Sequence, residues 1–286
     1  MNKRSLVFVV GLIFAGTIAG ISLLVAQAPQ PTAQNPASLS AAQPLGGLQQ
    51  HPVLSVIFLD PAHGGIDTGA RGAGGIRESE VVLDFAGQVR TALERSGFRV
   101  VLTREGNDNP SFDERSAAAN GQRGAVFITL HVASTGTPGT ARVYSLALAP
   151  PAGQAVSPSP ASQTAPQAAS PVILPAQTPD AAGILLWDRA QVPFLDLSQR
   201  LADITQVQLS QRFRGSPMLP LTAAVRQLRT VSAPAIAIEL SSVSAEDNNT
   251  VTGMAPGLAD GVVQAILAFR SYYESSPALP GAGGGR

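Results

Sequence analysis

Three histidines are the only imidazoles in this 286-residue chain, and it contains no cysteine. A transition-metal site here has to be built from His, Asp and Glu, because thiolate ligands are missing. Two of the histidines and two glutamates stand where chemistry is well supported. His63 follows a near-continuous apolar stretch, Val53–Leu59, of strand length, and His131 directly follows another, Ala125–Leu130. Glu239 lies near the end of a third, Ala235–Leu240, and Glu78 opens a run with helical spacing. In α/β sheets, sites collect at the carboxyl ends of strands, where loops converge over a rigid support. Two imidazoles and one carboxylate are enough to hold zinc and leave a position open, and an open position distinguishes a catalytic zinc from a structural one. The fourth group, Glu239, could then act as base or acid on water activated at such a centre.

Each of these residues also has a plainer reading. A histidine after a strand commonly packs in a loop. A glutamate at a helix start is accounted for by the helix dipole and capping. A carboxylate at the tip of a buried strand needs a partner, and an arginine would supply one. The third histidine, His51, sits at the junction with a polar linker and reads as solvated.

The elements that must position these groups follow from periodicity. From Glu78 to about Ser96, Val81, Val82, Phe85, Val89 and Leu93 recur at helical spacing, and Gly97 stands where a helix C-terminal cap belongs. Phe98–Thr103 then reads as a strand, Phe112–Gly121 as a helix stopped by glycine, and Ala125–Leu130 as a further strand. Arg142–Leu148 adds another strand. A long helix is expected from about Pro193 to Arg212, a buried strand over Ala235–Leu240, and a closing helix from about Ala255 to Tyr273. Strands alternating with helices indicate an α/β layer structure with a largely parallel sheet.

The remaining stretches are poor core material. Lys3 and Arg4 precede an uncharged apolar run, Ser5–Ala26, which reads as an export signal or a membrane anchor. Ala26-Gln27-Ala28 resembles a cleavage site, but Pro29 directly after it would hinder cleavage, so both options stand. With the charge ahead of the run, the following domain is expected outside the cytoplasm. The expected layout is a signal or anchor over 1–28, a flexible linker over 29–52 and a catalytic domain over 53–274. That domain carries a Pro/Ala-rich insertion at about 150–182, and a disordered tail follows over 275–286. With 19 basic and 19 acidic residues, the chain gives no electrostatic reason to expect nucleic acid as a partner.

Several separated segments resemble one family. Asp60-Pro61-Ala62-His63-Gly64-Gly65, with Asp67-Thr68-Gly69-Ala70 and then Gly75-Ile76-Arg77-Glu78, is similar to the opening of the zinc-dependent N-acetylmuramoyl-L-alanine amidases of the amidase-3 type. Leu102-Thr103-Arg104, Glu114-Arg115 with Ala119-Asn120, Phe127–His131 and Ala235–Glu239 resemble later family segments in the same order. The resemblance implies that His63, Glu78 and His131 bind Zn2+ and that Glu239 is the catalytic carboxylate. It also implies loop-ordering roles for Asp60 and Asp67, and a match of Arg226 to a basic residue before the last strand. The implied fold is a zinc-carboxypeptidase-like three-layer α/β sandwich with a mixed, mostly parallel sheet. The implied reaction is hydrolysis of the amide between N-acetylmuramic acid and L-alanine in peptidoglycan, with or without an activator protein.

The chain departs from the family pattern at Ala62, at Val132-Ala133-Ser134 and at Leu240–Ser244. These positions bear on substrate preference more than on metal binding. A zinc peptidase acting on the stem peptide, and a wall-binding relative without turnover, remain alternatives at this point.

Overall fold

The computed structural model describes residues 53–148, 187–242 and 248–276. The apolar N-terminal run, the linker, the Pro/Ala insertion and the tail beyond Ser276 lie outside the described residues. Six strands form one sheet: β1 (Val56–Pro61), β2 (Arg99–Leu102), β3 (Ala125–Ala133), β4 (Thr140–Leu146), β5 (Leu221–Ala223) and β6 (Ala235–Ser241). Their order across the sheet is β2-β1-β3-β6-β4-β5. All neighbouring pairs are parallel except β4 with β6, so the sheet is mixed and mostly parallel.

Period-2 alternation sorts the strand residues onto two apolar faces, as expected for strands covered on both sides. Ile57, Leu59, Val126, Ile128, Ile236 and Ile238 meet the larger helical layer. That layer holds α1 (Glu78–Arg95), α3 (Leu195–Arg212) and α6 (Ala255–Ser275). Phe58, Phe127, Ala235 and Ala237 face the thinner layer instead, with Ala119 of α2 (Phe112–Asn120) and Leu228 of α4 (Arg226–Arg229). Helices therefore cover both sides of the sheet, giving three layers. Thr250–Ser275, which ends in α6 after the short α5 (Asn248–Thr252), is apolar and long enough to cross a membrane. Leu258, Val262, Ile266 and Phe269 on it belong to the buried core.

Helix ends follow local rules. Gly97 takes a left-handed φ of 87°, and the N–H groups of Gly97 and Phe98 return to the carbonyls of Glu94 and Leu93 to close α1. At α2, Ser111 and Glu114 exchange side-chain and backbone hydrogen bonds in a capping box.

The boundaries differ from the sequence expectation in instructive places. β1 begins at Val56 rather than Val53, because the Leu54 N–H turns to the Glu274 carboxylate instead of a neighbouring strand. β3 does not stop before His131 but runs through it to Ala133, since β6 continues to pair alongside. The strand expected at Arg142–Leu148 spans Thr140–Leu146. α3 begins at Leu195, because Val192–Phe194 with its proline forms a 3-10 turn. β5 and α4 are too short to show a period and were not foreseen.

Candidate metal centre

Asp60, Thr129, His131 and Glu239 share the parity of the thin-layer face, and all lie toward the carboxyl ends of their strands. The register places His131 directly beside Glu239 on adjacent strands. His63 arrives from the loop after β1, and Glu78 from the first turn of α1. One ligand atom from each of His63, Glu78 and His131 lies within 4.8 Å of the others.

Glu78 is the hub of this trio. Its Oε2 is 3.1 Å from His63 Nε2, and its Oε1 is 3.1 Å from His131 Nδ1. The same two oxygens accept backbone hydrogen bonds from Ala70 at 2.8 Å and Val132 at 3.0 Å. These partners all lie outside α1, so the side chain is turned toward the site rather than back onto its own helix end. Burial works against the charged carboxylate, but the hydrogen bonds from His131, His63 and the two amides outweigh it and hold Glu78 well below the usual carboxylate range. The hydrogen bond to Glu78, opposed by burial and helped by Asp67, raises His63 to about 9. Asp67 accepts from His63 Nδ1 at 2.9 Å, which lowers its own carboxyl and leaves Nε2 directed toward Glu78.

The loop that presents His63 is braced by two buried arginines. Arg104 donates to the carbonyls of Pro61, Ala62, Ser79 and Gly106. Arg115 donates to Pro61 and His63 carbonyls and forms a 2.6 Å ion pair with Asp60, whose side chain is fully buried. These contacts hold His63 in a left-handed conformation, φ 63°, which is uncommon for a non-glycine residue. Ala62 has no such requirement, so its methyl group sits in the buried loop without straining the backbone.

Asp60 also reaches the second histidine. Thr129 Oγ1 lies 2.8 Å from Asp60 Oδ2 and 3.4 Å from His131 Nε2. A hydroxyl has one proton, and the carboxylate can only accept, so Thr129 donates to Asp60 and offers a lone pair to His131. Nε2 thus faces Thr129 while Nδ1 faces the Glu78 carboxylate at 3.1 Å, so Nδ1 is the nitrogen turned toward the position a metal would take. Gln227 approaches the same Nε2 at 3.3 Å.

Glu239 is beside this cluster rather than in it. Tyr144 donates to its Oε1 at 3.1 Å, and Arg142 Nη1 lies 3.6 Å from the same oxygen. The arginine partner anticipated as the plainer reading is therefore present. A cavity of about 470 Å³ opens next to His63, with Asp67, Phe112, Arg115, Arg226 and Gln227 in its wall. Arg226 stacks its guanidinium over Phe112 at 4.7 Å.

All four candidate residues are thus brought to one end of the sheet; Asp67 contacts His63, and Asp60 contacts Arg115 and Thr129. Missed in the sequence were Arg104, Arg115 and Thr129 as braces, and Tyr144, Arg142 and Gln227 as neighbours. The signal for the two arginines was present, because an arginine among apolar strand and helix positions must find buried acceptors. Two imidazole nitrogens and a carboxylate, with no sulfur and with His63 bordering a cavity, make a donor set that fits zinc with a free coordination position.

Comparison with known proteins agrees with this fold. The chain is 34% identical over 131 residues to N-acetylmuramoyl-L-alanine amidase AmiA of Escherichia coli (strain K12), covering 46% of this chain and 43% of that protein. It is 40% identical over 76 residues to AmiC of Neisseria meningitidis, covering 27% of this chain and 18% of that protein. The matched segments thus span less than half the length of these relatives. Among solved structures, amidase AmiC2 of Nostoc punctiforme has a TM-score of 0.51 at 20% identity, covering 74% of this chain and 97% of that one. Ami1 of Mycobacterium smegmatis has a TM-score of 0.51 at 19% identity, covering 78% and 100%. At these identities the structures attest the α/β sandwich fold. The Amidase_3 model, described as N-acetylmuramoyl-L-alanine amidase, matches residues 57–267, and the chain belongs to that family.

Proposed function

We propose that this chain hydrolyses the amide joining the lactyl group of N-acetylmuramic acid to L-alanine in peptidoglycan. In this reading zinc is held by His63, Glu78 and His131. The observation that supports it is the meeting of two imidazoles on one buried carboxylate, with Glu239 beside them, in a chain of the amidase family. Zinc at such a centre supplies Lewis acidity toward the scissile carbonyl and acidifies water to a pKa of about 7.

The chain's own residues do the rest. Asp67 and Thr129 orient the two histidines. Glu239 takes the proton of the attacking water and returns it to the departing nitrogen as the C–N bond breaks, leaving a lactyl carboxylate and a free amine on L-alanine. The cavity beside His63 receives the muramoyl peptide, with Arg226 and Phe112 forming part of its wall. Peptidoglycan places the enzyme outside the cytoplasm, consistent with an export signal or anchor over 1–28, a linker over 29–52 and a catalytic domain over 53–274. The CwlD amidase of Clostridioides difficile, with a TM-score of 0.52, was solved in complex with the GerS lipoprotein. A partner that raises activity is part of this proposal.

Zinc-loaded full-length protein is incubated with purified sacculi and the released fragments are identified by mass spectrometry. Stem peptides with a free L-alanine amino terminus, lost on chelation and lost in Glu239→Gln while zinc stays bound, are the expected products. Cleavage inside the stem peptide, or full activity in Glu239→Gln, would overturn the assignment.

A further inference from the structure

Among the described residues, the carboxylate of Glu239 is held from one side. β4 runs antiparallel beside β6, and its register sets Arg142 opposite Glu239 and Tyr144 opposite Ala237. From there the Tyr144 hydroxyl donates to Glu239 Oε1 at 3.1 Å, and Arg142 Nη1 approaches that same oxygen at 3.6 Å. On the opposite flank, β3 places His131 next to Glu239. Among the described residues, the polar contacts of Glu239 fall on Oε1, and Oε2 has none.

A proton-transferring carboxylate needs one free oxygen and a fixed plane. Geometry within hydrogen-bond reach of the moving proton governs how well such a group works. We propose that Tyr144 and Arg142 act as positioning residues for the reaction, fixing Glu239 through Oε1 and reserving Oε2 for proton transfer. The inference rests on Glu239 being the proton acceptor. Tyr144 suits the role because its ring packs against the thin-layer core with Leu146 and Ala237, so the hydroxyl is carried on a rigid arm. Burial, followed by the neighbouring Glu239 charge, raises the Tyr144 phenol above its ordinary value, which keeps it protonated and a donor. Arg142, about a third exposed, adds charge at longer range.

Tyr144→Phe keeps the ring and removes only the hydroxyl. On a soluble N-acetylmuramoyl peptide, with full-length zinc-loaded protein, kcat is expected to fall about 10- to 100-fold, the loss typical of a hydrogen bond to a charged group. KM and zinc affinity should stay within about twofold, because neither substrate nor metal is touched. Arg142→Met should lower kcat by less than about tenfold, as an exposed, longer ion pair contributes less. The double variant should approach the activity of Glu239→Gln. Wild-type kcat in Tyr144→Phe, or a kcat loss matched by lost zinc or an equally raised KM, would overturn the inference. Glu239→Gln run in parallel separates the two levels: if it is inactive while Tyr144→Phe is unaffected, only the positioning role falls. If Glu239→Gln turns over normally, the proton-acceptor assignment falls with it.

Discussion

Gly69 offers a sharp perturbation of the metal centre without touching a ligand. Its φ is +63°, and its N–H donates to Asp67 Oδ1, the carboxylate that also orients His63. A methyl group there would lie 2.5 Å from Glu78 Oε2 and 2.6 Å from His63 Cδ2. The closer contact falls 0.9 Å short of the 3.4 Å at which contact becomes ordinary. Metal–ligand distances tolerate only about 0.2 Å, so Gly69→Ala must push Glu78, His63 or both out of binding position. The left-handed backbone adds about 1–2 kcal/mol of conformational penalty for alanine. Gly74→Ala is the matched control. Its φ of +69° imposes the same backbone penalty, yet a methyl there meets nothing within 4 Å. Zinc affinity, read by competition with a chromophoric chelator, should fall about 100-fold or more in Gly69→Ala, or about 2.8 kcal/mol. Gly74→Ala should match the wild type. Equal zinc affinity in the two variants would refute the packing argument.

Four further outcomes are expected. Thr129→Val breaks the Asp60–Thr129–His131 connection and should weaken zinc binding about 10- to 100-fold, with Thr129→Ser restoring it; an unchanged dissociation constant in Thr129→Val would count against that link. Arg115→Met leaves Asp60 charged and fully buried and should destabilise the metal-free protein by about 3–5 kcal/mol in denaturant titration, whereas a loss below about 1 kcal/mol would show that Asp60 finds another partner. Because His63 is raised from 6.5 to about 9, its contribution to metal-free stability is fully present below about pH 6.5 and is lost as pH rises through about 9. Glu78 is shifted the other way, so its contribution is present above about pH 4.5 and is lost as pH falls toward its depressed value. Zinc must displace the His63 proton, so zinc affinity should rise about tenfold per pH unit between about 7 and 9, and a flat profile would contradict the shift.

Much of the fold was legible because its signals are local. Buried parallel strands announce themselves as apolar runs, and α1 carries a clean helical period closed by Gly97. The candidate site was legible for a related reason, since each of its residues lies at or near a boundary between an apolar run and a loop or helix. What could not be read was whatever depends on register across the sheet. The pairing of His131 with Glu239 extends β3 past the apolar run that defined it, and nothing in the local sequence encodes that extension. Tyr144 and Arg142 became neighbours of Glu239 only through the antiparallel pairing of β4, a long-range contact. The braces on the His63 loop are likewise long-range, since Arg115 lies 52 residues beyond the carbonyl it holds. By contrast, the Ser111–Glu114 capping box has a local signature and could have been found in the sequence.

Anomalous diffraction at the zinc absorption edge, from crystals of the zinc-loaded protein, would locate the metal without relying on activity. One peak is expected, bound by His63 Nε2, the Glu78 carboxylate and His131 Nδ1, with Glu239 beside it but not among the ligands. A peak at any other group of residues, or none at this trio in protein that has taken up zinc, would contradict the assignment of the centre.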